Sequence, residues 1–127
     1  MLEPKYQEYW KKRIDREKKL EKEREKKAWE VVDRVVTCLR EEFGAGKCIV
    51  FGSLVRDRCF RPDSDLDLAI ADLPPHLFYK ALARVNQNHE FWIDLKPLED
   101  LDPHFLQRIQ DTGIDYDKSR HDRGSTC

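Results

Sequence analysis

Two short stretches, Phe51-Gly52-Ser53-Leu54-Val55-Arg56-Asp57 and Ser64-Asp65-Leu66-Asp67-Leu68, set a small-residue turn beside two closely spaced carboxylates. Asp65 and Asp67 stand at i and i+2, so on a strand both side chains point to one face. Carboxylates that near repel each other unless protons or a cation intervene, and hard oxygen donors suit Mg²⁺. A two-metal clamp needs a third acid. Asp94 is the best candidate, because it interrupts the apolar run Phe91-Trp92-Ile93-Asp94-Leu95 on what should be a neighbouring strand. A carboxylate at mid-strand is costly without compensation, and a metal site at the strand edge would supply it.

Gly52, without a Cβ, lets the backbone approach a phosphate, while Ser53 offers a hydroxyl and a main-chain N–H. The run from Leu54 is expected to begin a short helix whose amino end faces the anion. Arg56 either contacts a triphosphate or steadies the turn by pairing with Asp57 or Asp63. Arg58 and Arg61 read as solvent-facing. Ser64 either orders the loop into the next strand or acts as a ligand.

The elements that must position these residues follow from periodicity. Ala28, Val32, Val35, Val36, Leu39 and Phe43 recur at helical spacing, and Gly44 and Gly46 end that pattern. Ahead of it, Lys11 to Lys27 is almost entirely strong helix formers with too few apolar residues for a stripe. One helix from near Pro4 to Phe43 would run about 60 Å at roughly 1.5 Å per residue, more than the domain behind it. Residues 1–27 are therefore expected to project, carrying Tyr6, Tyr9 and Trp10 at the outer end.

Three readings of that extension stand side by side. It is a solvated charged helix with a small apolar cap, a surface for a partner or a homodimer, or a nucleic-acid contact. The last is disfavoured by the interleaved Asp15, Glu17, Glu21, Glu23 and Glu25.

Strands are expected at Lys47–Phe51, Leu66–Ile70 and Phe91–Leu95, with a brief edge strand at Ile114–Tyr116. Pro75 opens a helix carrying Leu77, Phe78, Ala81, Leu82 and Val85, with Asn86, Asn88 and His89 at its exit. Asp102-Pro103 caps and starts another, carrying Phe105, Leu106 and Ile109 and stopping at Gly113. The sum is a small mixed α/β (α+β) sheet with helices packed on one face. Residues 28–117 form the domain, and 118–127 a polar tail.

The pattern Gly52-Ser53-x-x-Arg56, Ser64-Asp65-x-Asp67-Leu68 and the later Asp94 resembles the minimal nucleotidyltransferases of the superfamily related to DNA polymerase beta. The likeness covers roughly residues 32 to 117, including the ending Thr112-Gly113-Ile114-Asp115-Tyr116. It implies a nucleotidyltransferase-like fold and transfer of a nucleoside monophosphate, AMP from ATP in the first instance, onto a hydroxyl of a protein or small acceptor. Asp65, Asp67 and Asp94 would hold two Mg²⁺ ions, and Gly52, Ser53, Arg56 and Ser64 would hold the triphosphate. Such chains commonly serve as antitoxins to a helical protein of the HEPN type encoded nearby, so the resemblance implies that partner. A catalytically weak antitoxin that neutralises its partner by binding is the alternative. Asp57 departs from the pattern, standing where the family often has glycine.

Composition sets the frame. The 127 residues suit a single small domain, and 24 Lys plus Arg against 25 Asp plus Glu leave a formal charge of −1 with no global pull toward nucleic acid or membrane. No apolar run approaches the roughly 20 residues of a spanning helix, and no secretion signal is evident, so a cytoplasmic location is expected. Cys38, Cys48, Cys59 and Cys127 are scattered, without zinc spacing. Cys38 and Cys48 read as core thiols.

Overall fold

Forty residues with no internal glycine or proline, Pro4–Phe43, form α1 in the computed structural model, which describes residues 4–56 and 60–116. The helix ends where expected. Gly44 adopts φ +71°, its N–H donates to the Arg40 carbonyl, and the Ala45 N–H donates to Leu39, closing the last turn through a left-handed residue. The chain then enters β1 (Cys48–Phe51).

The remaining elements follow in order: β2 (Leu66–Ile70), α2 (Phe78–Val85), β3 (Ile93–Pro97), α3 (Pro103–Thr112) and β4 (Ile114–Asp115). Single 3₁₀ turns lie at Gly52–Leu54, Pro75–Leu77 and Leu98–Asp100. The sheet order is β3-β2-β1-β4, with β1 antiparallel to both β2 and β4, and β2 parallel to β3. The α+β class is as expected.

One part of the expectation is corrected. Helices cover both faces of the sheet, not one. Ala28, Val32, Val36 and Leu39 of α1 and Ala81 and Val85 of α2 pack with Val50, Leu66, Leu68, Ile70, Ile93 and Leu95. The alternate residues Ile49, Phe51 and Ala69 meet Ile109 and Phe105 of α3 on the other side. All four residues of β1 are buried, which two-sided cover requires.

β3 also starts two residues later than expected. The Trp92 carbonyl accepts from Leu66 N–H at 2.9 Å, and the five-residue ladder with β2 then carries the strand on to Pro97. The expected caps of α3 are present, with the Asp102 carboxylate accepting from the His104 and Phe105 amides and Pro103 in the first turn.

The projecting part of α1 is shorter than residues 1–27. Side chains 5–20 are exposed, but Glu21, Arg24 and Glu25 are half-buried, and a cleft joins Glu21 and Arg24 to Phe60, Arg61 and Pro62 of the loop before β2. The overhang keeps the helical phase of the core stripe. Trp10 and Ile14 lie eighteen residues, or five turns, ahead of Ala28 and Val32, yet are 47% exposed each. None of the described helices is long and apolar enough to cross a membrane. The tail from residue 117, with Cys127, and the segment 57–59 lie outside the described residues.

Asn86 joins the end of α2 to the start of β3. Its Nδ2 donates to the Leu82 and Ile93 carbonyls, and its Oδ1 accepts from Ile93 N–H at 2.7 Å. Replacing Asn86 by Ala orphans Ile93 N–H and its carbonyl at the strand edge, so urea unfolding should show a loss of about 1–3 kcal/mol. A loss under about 0.5 kcal/mol would show that the bridge is not a structural joint.

Candidate functional site

Parallel pairing of β2 with β3 sets Asp67 directly opposite Asp94. Strand alternation turns both carboxylates away from Leu66, Leu68, Ile93 and Leu95, onto the sheet face where α3 packs further along. Asp65, exposed just before β2, is close enough to act electrostatically on Asp67. Of the three acids singled out from spacing, Asp67 and Asp94 are therefore paired on one face at one end of the sheet, while Asp65 stands outside the strand and reaches Asp67 through its charge.

Their proximity shows in proton affinity. Burial, then the neighbouring Asp94 charge, pushes the Asp67 carboxyl up to about 6, and Asp65 and a hydrogen bond with Asp94 add in the same direction. Lys96 opposes the rise. Its Nζ donates to Asp94 Oδ2 at 3.0 Å from the same strand face, two residues along. Lys96 is the site residue that spacing did not flag, although its position at i+2 from Asp94 placed it there.

The turn expected to receive phosphate lies against this group. Phe51 pairs with Asp67 across the β1–β2 ladder, and Gly52 follows with φ +80°. A Cβ on Gly52 would fall inside contact distance of Asp67 Oδ2, so the missing side chain makes room for the carboxylate as well as for backbone approach. The 3₁₀ turn begins at Gly52, two residues before the helix start expected at Leu54. Val55 and Arg56 amides bond back to Gly52 and Ser53, and Arg56 sits exposed at the exit of the turn.

Ser64 orders the returning loop. Its Oγ accepts from Arg61 N–H at 2.8 Å and its own amide donates to the Arg61 carbonyl. Asp57, Arg58 and Cys59 lie outside the described residues, so the pairing of Arg56 with Asp57 does too. Cys48 is buried in β1, and the Cys38 thiol donates to Glu42 on the surface of α1, where burial and that hydrogen bond raise it to about 11.

The donor chemistry fits a hard divalent cation. Asp67 is a carboxylate whose proton affinity is raised first by burial and then by the charges of Asp94 and Asp65, and a cation would offset that repulsion. Among the described residues no group of three His, Cys, Asp or Glu side chains is placed to hold a metal ion, and Asp94 already has a cationic partner in Lys96. The site as it stands is thus an acidic pair with an internal counter-charge, beside a glycine turn and an exposed Asp65. No protein-family model matches the chain, and no curated protein matches it.

Two outcomes follow. The folded Asp67 carboxyl holds its proton to higher pH than the unfolded one, so its stabilising effect is complete below the ordinary carboxylate range and is lost as pH rises through about 6. Fully expressed, that displacement equals roughly 3 kcal/mol, and solvent screening of a half-exposed group leaves about 1 kcal/mol. Asp67→Asn in chelator should therefore unfold at higher urea than the parent at pH 8 and at the same urea at pH 4. Equal stability of the two proteins at both pH values would refute the raised proton affinity of Asp67. Gly52→Ala places a side chain both at positive φ and against Asp67, and should lose about 2–4 kcal/mol in the same assay.

Proposed function

We propose that the chain is a Mg²⁺-dependent nucleotidyltransferase moving AMP from ATP to a hydroxyl group. The observation that carries this reading is the Asp67–Asp94 register pair, with Asp65 beside it and the Gly52 turn against it. Asp65, Asp67 and Asp94 are the residues to hold the metal, which when bound neutralises the triphosphate and stabilises the entering and leaving oxygens.

The chain's own groups do the rest. The Gly52-Ser53 backbone and Ser53 hydroxyl orient the phosphates, with Arg56 at the rim. The acceptor oxygen bonds to the α-phosphorus as the bond to the pyrophosphate oxygen breaks, and the hydroxyl proton passes to the Asp67–Asp94 carboxyl pair. Lys96 holds Asp94 toward that pair and tempers its charge. Positioning and charge neutralisation, not covalent catalysis, supply the rate.

The acceptor favoured by the resemblance in Gly52-Ser53, Asp65-x-Asp67 and Asp94 is a hydroxyl of a helical HEPN-type partner, with this chain as its antitoxin.

With Mg²⁺, ATP labelled at the α-phosphorus and a co-expressed helical partner, the chain should release pyrophosphate and label the partner. Asp65→Asn and Asp67→Asn should each lower transfer by at least about 100-fold, near 2.7 kcal/mol, with unchanged circular dichroism. Transfer that survives both replacements, or variants that simply unfold, would remove the catalytic assignment.

A further inference from the structure

The outer end of α1 leaves large aromatic surface in solvent. Tyr6, Tyr9 and Trp10 are 49%, 58% and 47% exposed, and Tyr9 meets Trp10 edge to face. Arg13 lies over the Trp10 ring at 5.3 Å. Between Lys5 and Leu20 there are seven basic and three acidic side chains, so this aromatic tip is set in positive charge.

A concave surface of opposite character lies elsewhere on the chain. It encloses about 720 Å³ at the ends of β2 and β3, floored by Pro75, Phe78, Tyr79 and Pro97. Tyr79 is 80% exposed there. Three acids, Asp72, Glu99 and Asp100, rim it, and no basic residue is among its described lining. A hollow of that size accepts one or two aromatic rings, and its rim matches a basic flank.

The tip of one chain cannot reach its own hollow. The hollow sits where α1 finishes, since Gly46 N–H donates to the Ala71 carbonyl and Ala71 N–H to Lys47, tying the end of β2 to the turn after α1. The tip is more than thirty helical residues away, about 50 Å. Two copies laid antiparallel bring each tip to the other's hollow, and a two-fold axis makes the contact twice.

We propose that the aromatic tip of α1 docks into the acid-rimmed hollow around Tyr79 of a second copy, forming a reciprocal dimer. The hollow shares no lining residue with the Asp67–Asp94 pair, although Pro97 lies on the same strand as Asp94, so the contact does not require that nucleotide be transferred. The rings supply burial, and Arg13, which in one chain donates to Glu17 on its own helix, supplies orientation and salt dependence by exchanging that partner for Asp100.

Sedimentation of the full chain at about 100 µM tests this, because a contact of this kind should lie well inside that range. The expected species is a dimer of the 15.2 kDa chain, and Trp10→Ala and Tyr79→Ala should each give monomer with unchanged circular dichroism. Arg13→Glu and Asp100→Arg should each weaken the dimer about tenfold, and together recover most of that loss. The double replacement distinguishes the pairing from general loss of folding. A monomeric parent overturns the proposal and leaves the tip to a different protein. A dimer that survives both aromatic replacements, or assemblies that grow past two copies with concentration, also overturn it.

Discussion

Everything at the acidic end depends on one register, in which β2 and β3 run parallel with Asp67 opposite Asp94. A slip of β3 by one residue would turn Asp94 into the layer occupied by Leu66, Leu68, Ile93 and Leu95, while Asp67 stays held by the ladder with β1. Those four side chains thus fix the polar group as firmly as the core. The hydrophobic layer beneath enforces a placement that electrostatics alone would resist, and the raised proton affinity of Asp67 is the mark of that conflict.

The joint that holds the register is local. β3 begins only after Asn86 has taken Ile93 N–H and its carbonyl, and after Trp92 has accepted from Leu66. Asp94 follows at once, so the helix exit and the acidic residue are one mechanical unit. Lys96 sits on the far side of Asp94, and the tether at 3.0 Å keeps a charge next to the pair without closing a ligand set.

Much of this was legible in residue order. The span Leu66–Ile70 follows from its apolar alternation around Asp67, and Asp102-Pro103 and Gly113 bracket α3 because capping chemistry is local. The long α1 follows from uninterrupted helix formers. What was not legible depends on partners distant in sequence. Cover on both faces was signalled only by the continuous run Cys48–Phe51, and periodicity in α3 does not say which face it will meet. Asn86 reads as a helix exit, while its bonds to Ile93 exist only once β3 has docked. Gly52 reads as a phosphate turn, and its contact with Asp67 needs the antiparallel ladder.

β3 is a flank of the sheet, and it ends in Lys96-Pro97. Proline has no amide hydrogen to offer a further strand, and lysine beside it makes stacking of like chains unfavourable. The opposite flank is only the two residues of β4. Among the described residues both margins are thus poor backbone templates for strand-by-strand growth, which leaves the exposed aromatic surface of α1, not the sheet, as the route to self-contact.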